Sequence, residues 1–207
     1  MKLGGLVGLL ILTQAGAGLF ALWYSHAAES ESRARLSALA ASLDAMRNTQ
    51  ASFGVQVQEW KNILLRDRDP TLSPRHRAGF EAAAGQVQTE LGRASRTHDL
   101  AAGRTPAIQG AHAALLERYG QVIANADLTT LAGQAAADVA IRGADRALQV
   151  QFDELADALV EAHRSEATQA AAAADRRYGE LRLILFICAG LGLLATVSLL
   201  AIALRRP

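Results

Sequence analysis

The sequence predicts an all-α protein, an antiparallel up-down-up-down four-helix bundle that is continuous with two transmembrane helices. Apolar residues recur three and four positions apart over long stretches, as they do on one face of a helix. Aromatic residues make up only 5% of the 207 residues and there are four prolines, a composition that favours helices over strands. Residues 3–24 and 183–204 carry no charge, and each segment is long enough to cross a hydrocarbon core of roughly 30 Å.

Residues 1–25 are predicted to form the first transmembrane helix. Trp23 and Tyr24 close the charge-free segment, as aromatic residues do at a membrane interface. A signal peptide cleaved near residues 25–27 is the alternative, but its apolar core would be longer than the usual 7–15 residues. Gly4 and Gly8 form a Gly-xxx-Gly pair that either brings two helices close or is merely tolerated in lipid.

Residues 183–204 are predicted to form the second transmembrane helix, and residues 205–207 a short cytoplasmic tail. Lys2, Arg205 and Arg206 place positive charge at both termini, so the positive-inside rule puts both termini in the cytoplasm. Residues 26–182 then form the bundle outside the inner membrane, in the periplasm if the cell has one. The chain is expected to cross the membrane twice, with membrane lipid around the two spans.

The first helix of the bundle carries a seam of about four heptads that is typical of lengthwise helix packing. Asp69-Pro70 ends this helix, because the proline ring disfavours helical geometry at the residue before it. The seam consists of Leu36, Leu39, Leu43, Met46, Gln50, Phe53, Val57, Trp60 and Leu64.

Three further helices follow. Ser73 as N-cap and Pro74 at the first position predict the start of the second helix, which runs to about Ala101. Residues 102–106 are the predicted second break. The third break is either at residues 125–127 or at Gly143; a fourth helix as long as the first favours Gly143, with residues 125–130 a local irregularity. The apolar faces comprise Phe80, Ala84, Val87 and Leu91; then Ile108, Leu115 and Tyr119; then Leu148, Phe152, Leu155 and Leu159.

Charge and composition exclude several function classes. Without the three terminal basic residues, the 21 basic and 20 acidic residues become 18 against 20, so the basic footprint of a nucleic-acid-binding protein is missing. The single cysteine excludes an intrachain disulfide and Cys-based metal or haem motifs. Carboxylates four apart indicate an outer helix face, so we expect no enzyme and no cofactor.

The histidines permit one further hypothesis, a metal or redox bundle. His112 and His163 are predicted to lie at similar heights in the bundle, and His98 also falls on a helical seam. Imidazoles can bind a metal or a haem, but no carboxylate or cysteine completes the set by spacing. We therefore expect hydrogen-bonded histidines at the edge of the core and no metal site.

The tip of the bundle carries the candidate ligand site. Arg66 and Arg68 end the first helix, and Arg142 and Arg146 flank the start of the fourth. Converging guanidinium groups suit a carboxylate or a phosphate, so a small anionic ligand is the expected partner. The alternative is a solvated tip, in which Asp67, Asp69 and Asp145 neutralise the arginines and cap helices.

Two segments resemble the periplasmic sensor domains of bacterial methyl-accepting chemotaxis receptors. The longer is Gln-Val-Gln-Glu-Trp-Lys-Asn-Ile-Leu-Leu-Arg at residues 56–66, and the shorter runs from Arg142-Gly143-Ala144-Asp145-Arg146 to residues 152–156. The resemblance implies a homodimer, ligand sensing outside the cell, and a small displacement of the second span that is passed to the cytoplasm.

The sequence therefore predicts a membrane-anchored, sensor-like ligand-binding module without a signalling output domain. It contains no HAMP-like helix pair, no methylated coiled coil and no kinase-binding tip. It is either a truncated receptor or a small protein that binds receptor-like partners. The alternative function is a structural or assembly membrane protein that acts through helix–helix contacts with partner receptors.

Overall fold

A computed structural model describes residues 3–204, except the side chains at positions 3, 4, 6, 7, 9–11, 199, 200 and 203. Within this part of the chain all regular structure is helical, which confirms the predicted all-α class. The five helices are α1 (Leu3–Arg66), α2 (Leu72–Thr97), α3 (Asp99–Asn125), α4 (Leu131–Ile141) and α5 (Arg146–Leu204). Lys2, Arg205 and Arg206, on which the predicted topology depends, and the Gly4 position of the glycine pair lie outside the described residues or side chains.

The chain divides into two compact units. The central unit comprises Leu36–Arg164, and the terminal unit combines the described residues up to Arg35 with those from Ser165 onward. Both division points fall inside helices, since α1 and α5 each contribute to both units. Among the described residues, one helix is long and apolar enough to cross a membrane, and its apolar stretch lies toward the end of α5.

The core of the central unit is built by residues of all five helices, with α1, α2, α3 and α5 contributing the large side chains. The predicted seam of α1 is buried at Leu39, Met46, Phe53, Trp60 and Leu64. Aromatic rings join the helices at three contacts: Phe53 to Phe152 at 5.2 Å, Trp60 to Tyr119 at 4.6 Å, and Phe80 to Tyr119 at 5.2 Å between ring centroids.

The start of α2 differs from the prediction. Its first residue is Leu72, and Ser73 is not the N-cap. The Ser73 hydroxyl instead donates to Asp67 at 2.6 Å. Asp69 takes the capping role, because its carboxylate accepts the backbone N–H groups of Thr71 and Leu72. A charged carboxylate is a stronger acceptor for these free N–H groups than a serine hydroxyl.

The predicted break at residues 102–106 is wrong. α2 ends at Thr97 and α3 begins at Asp99, so Pro106 lies inside α3. His98 makes the break: its backbone is extended, with φ −154°, and its Nδ1 accepts the N–H of Leu100. A histidine cap followed by an acidic first residue stabilises a helix start, and one proline removes a single helical hydrogen bond without ending α3.

The connection between α3 and α5 contains both candidate breaks. Residues 125–130 are a true break and not an irregularity within one helix, because Ala126 is extended and a new helix, α4, follows. Thr130 caps α4 by accepting the N–H of Gly133 at 3.1 Å. The turn at Gly143 is confirmed: Gly143 has φ +75°, and α5 begins three residues later.

Trp60 is 4% exposed and contacts Tyr119, so we expect Trp60→Ala to destabilise the protein by about 3–5 kcal/mol through lost burial and a residual cavity. Chemical unfolding of the purified chain measures this change. Leu65→Ala is the matched control, because Leu65 is 74% exposed and its truncation should leave stability within about 0.5 kcal/mol. Equal stability of the two variants would contradict the burial of Trp60.

Alanine substitutions at two glycines should have opposite effects. Gly143 has a positive φ, which an L side chain adopts at an expense of roughly 1–2 kcal/mol. Gly110 lies within α3, and a Cβ there would meet nothing within 4 Å. Gly143→Ala should therefore destabilise the protein, whereas Gly110→Ala should stabilise it by about 0.5–1 kcal/mol. If both substitutions shift the midpoint of thermal unfolding in the same direction, the assignment of the turn at Gly143 is wrong.

Candidate functional site

The four arginines predicted as a ligand site lie at the helix ends of the central unit. Arg66 is the last residue of α1, Arg68 lies in the following turn, Arg142 follows α4, and Arg146 is the first residue of α5. All four are exposed. Arg142 forms an ion pair with Asp138 at 2.6 Å, and within residues 3–204 no hydrogen bond or ion pair joins the four side chains to one another. Their convergence on one ligand therefore stays a prediction.

Asp67 is engaged by a different arginine from the four. Its carboxylate accepts from Arg77 at 2.7 Å and from the Ser73 hydroxyl. Burial acts to raise the pKa of Asp67, but these two hydrogen bonds and the charge of Arg77 lower that pKa below its ordinary value. Asp67 is consequently an ionised link between the end of α1 and the first turns of α2, and it does not neutralise Arg66 or Arg68 by contact.

A cleft of about 260 Å³ lies between α1 and α5 in the central unit. Its floor includes the rings of Phe53 and Phe152, which contact each other. Its polar lining includes Lys61, Asp145 and Asp153, and Gln50 closes one side by donating to Asp153 at 2.7 Å. The cleft therefore offers an aromatic floor with both signs of charge, next in sequence to the predicted arginines.

A second polar contact joins α1 to α2. Glu59 and the Nδ1 of His76 lie 2.6 Å apart. The hydrogen bond with His76 lowers the pKa of Glu59 despite the opposing effect of burial. Gly79 gives this pair its room, because a Cβ at that position would lie 3.2 Å from Cδ of Glu59.

The interior of the central unit contains a polar layer that sequence reasoning missed. His112 is fully buried and sits between two amides: Gln88 Nε2 lies 2.7 Å from Nδ1, and Gln56 Oε1 lies 2.8 Å from Nε2. A glutamine N–H can only donate and its oxygen only accept, so Nδ1 is the acceptor and Nε2 carries the proton. His112 is therefore held as a neutral imidazole.

Polar residues recur through the core at heptad spacing on both sides of this layer. On α1 the buried polar side chains are Ser42, Thr49 and Gln56, and on α3 they are Thr105, His112 and Tyr119. The hydroxyls of Ser42, Thr49 and Thr105 donate to backbone carbonyls. A search for apolar periodicity cannot find such a column, although the equal spacing of seven is a signal that could have revealed it.

Part of this interior lacks hydrogen-bond partners. Among the described residues, Gln56 Nε2 and the Tyr119 hydroxyl are buried without a hydrogen bond. Unpaired buried polar groups are unfavourable by roughly 1–3 kcal/mol each, and burial, with the nearby Asp145 charge, raises the pKa of Tyr119. The polar layer therefore contains buried groups without hydrogen bonds, which an apolar core would not contain.

The hypothesis of a metal or redox bundle gains no support from these contacts. Both ring nitrogens of His112 are occupied by amides, and His98 uses Nδ1 as a helix cap. Among the described residues, no three side chains of His, Cys, Asp or Glu are grouped so as to hold a metal ion.

Stability should fall between about pH 6.5 and pH 4 because of His112. Burial lowers its pKa from 6.5 to about 4, so the unfolded chain binds one more proton than the folded chain in this window. Above pH 6.5 the neutral His112 side chain makes its full contribution to the free energy of unfolding. As the pH falls toward 4, the free energy of unfolding decreases by about 3 kcal/mol. Urea unfolding at several pH values measures this loss. In His112→Gln, the slope of the unfolding free energy against pH should decrease by the equivalent of one proton. An unchanged slope would show that another group titrates in this window.

Comparison with known proteins gives one relevant similarity. The chain is 34% identical over 125 residues to the methyl-accepting chemotaxis protein CtpH of Pseudomonas aeruginosa, a match that covers 60% of this chain and 22% of that protein. The chain therefore spans less than a quarter of the relative it matches. The sequence matches no protein-family model and no solved structure. The similarity supports the predicted relation to chemotaxis receptors in general.

Proposed function

We propose that this chain is a membrane-anchored, periplasmic sensor module that binds a ligand and does not catalyse a reaction. The observation that carries the proposal is the similarity to a chemotaxis receptor, combined with a cleft bordered by α1 and α5. These two helices contain the charge-free segments at residues 3–24 and 183–204. A ligand that bridges them touches the two elements that would enter the membrane.

The proposed architecture of the central unit is an antiparallel four-helix bundle of α1, α2, α3 and α5. Contacts between α1 and α2 support opposite directions: Glu59 meets His76, and the earlier Ser42 meets the later Ala94. The other neighbouring pairs follow the same rule, with Gln50 to Asp153 and Phe53 to Phe152 between α1 and α5, and Phe80 to Tyr119 and Gln88 to His112 between α2 and α3.

The proposed ligand is a small carboxylate held by Arg66 and Arg146, with Arg68 and Arg142 nearby in sequence. The side chains of Arg66 and Arg146 make no hydrogen bond or ion pair among the described residues, so neither side chain must break such a bond to bind a ligand; the charge of Arg66 does act on nearby Asp69. Arg142 must leave Asp138, an exposed pair worth about 0.2–1 kcal/mol. Asp145 and Asp153 in the adjacent cleft oppose a purely anionic ligand and favour one that also carries an ammonium group.

Topology is the first test of this proposal. Reporter fusions after Arg104 and at the C-terminus should report periplasm and cytoplasm respectively, because the central unit is proposed to lie outside and both termini inside. Membrane fractionation of the native chain supports the comparison. A cytoplasmic signal after Arg104 would rule out the periplasmic sensor.

Ligand binding is the second test, by calorimetric titration of the full chain with small di- and tricarboxylates and amino dicarboxylates. Replacing Arg66 and Arg146 by alanine should weaken binding at least about tenfold, since each charge-assisted hydrogen bond is worth roughly 1.5–3 kcal/mol. Arg47→Ala with Arg104→Ala is the matched control, because both arginines are exposed and far in sequence from the tip. Equal heats from all three proteins would refute the site.

A structural or assembly role is the second candidate, and α4 carries the observation that favours it. Leu131 and Val139 on this short helix are 73% and 64% exposed, so two apolar side chains of α4 are available for contact with another chain. A homodimer or a complex with receptor-like partners would cover it. Association that depends on Leu131 and Val139, together with no ligand heat, would favour assembly over sensing.

A further inference from the structure

Gln14 is a polar residue at the middle of the charge-free segment formed by residues 3–24. Its side-chain N–H donates to the backbone carbonyl of Cys188 on α5, with 3.1 Å between Nε2 and the oxygen. Both residues belong to the terminal unit. The carbonyl of a helical residue already faces the N–H four positions on, so Gln14 adds a second donor to an oxygen that has a free lone pair.

Gly192 provides the space for this side chain. A Cβ added at Gly192 would lie 2.0 Å from Gln14 Nε2 and 3.1 Å from its Cδ, so an alanine there would displace the Gln14 amide from its present position. The requirement is local, because a Cβ at Gly190 would meet nothing within 4 Å. The glycine at position 192 thus leaves a notch that the Gln14 amide occupies, and a side chain that fills this notch would displace the hydrogen-bonding group.

The physical setting favours a hydrogen-bonded amide. In hydrocarbon no solvent competes for the amide, so an amide without a partner is unfavourable there. Small residues at a helix contact allow close backbone approach, and a glutamine then bonds across the two helices. Polar residues within membrane segments are rare, and they usually act as a specific contact.

We propose that Gln14 and Gly192 form a polar lock that fixes the register of α1 against α5 within the membrane. This inference rests on the proposed function, which places both segments across the bilayer. Sliding α5 by one helical turn, about 5.4 Å, would bring Cys188 or Thr196 to the position of Gly192. Each of these residues has a Cβ that fills the notch, so a neighbouring register excludes the Gln14 side chain.

The single cysteine allows a direct test in the full chain. Labelling with carbonyl-13C cysteine marks one carbonyl, that of Cys188, which is the acceptor of the lock. In phosphatidylcholine bilayers, the isotope-edited infrared band of this carbonyl should lie at lower wavenumber than in Gln14→Leu, which lacks the donor. Gly192→Ala should shift the band upward in the same way, whereas Gly190→Ala should leave it in place.

Stability of the paired spans gives a second readout. Gly192→Ala should lower the detergent-denaturation midpoint when Gln14 is present, because the new methyl group overpacks the contact. The same substitution should have no further effect on a Gln14→Ala chain, so the two changes should be non-additive. A band that does not move in Gln14→Leu, or additive losses in the double variant, would overturn the lock.

The outcomes separate the lock from the proposed function. If the chain is absent from the membrane fraction, the two-span proposal fails and the lock fails with it. If the chain is in the membrane fraction with the proposed topology but the labelled band is the same in all variants, the lock alone is overturned.

Discussion

Aromatic contact around Tyr119 and Phe53 is the interaction on which the central unit depends. Tyr119 receives Trp60 from α1 and Phe80 from α2, while Phe53 meets Phe152 of α5. Four helices therefore meet through two rings, and aromatic side chains provide both the buried area and the preferred edge-to-face geometry. A protein in which only 5% of residues are aromatic concentrates several of them at the end of the unit where α1 and α5 border the cleft.

The polar column beside these rings limits how the helices can pair. Gln56 meets His112 in one layer, and a slip of one heptad would place Gln56 against Thr105 or Tyr119 instead. Neither Thr105 nor Tyr119 is an imidazole that can bond both Gln56 and Gln88, as His112 does. The shifted register would therefore leave more buried polar atoms unpaired. Buried polar groups in helical packing often select one arrangement at some loss of stability, and the unpaired Gln56 Nε2 is consistent with that loss.

Sequence reasoning predicted the helical class and the buried seam of α1 from the apolar period, and it favoured the turn at Gly143 from the length that the last helix needs to match the first. It misplaced the start of α3, since Pro106 and Gly103 suggest a break whereas the His98 side chain, a less common cap, makes one. The polar layer was missed because Gln88 lies off the apolar seams and its contact with His112 depends on packing. The arginines were identified by type and location, but their geometry depends on side-chain conformations that spacing does not determine.

The division points inside α1 and α5 have a consequence for recombination between related genes. A central unit joined to new flanking segments through an unbroken helix must keep the helical phase at both junctions, because one inserted residue turns everything beyond it by about 100°. Two flexible linkers would permit junctions of any length. Here an exchange that keeps both helices continuous changes their length most simply in steps close to whole turns, such as seven residues.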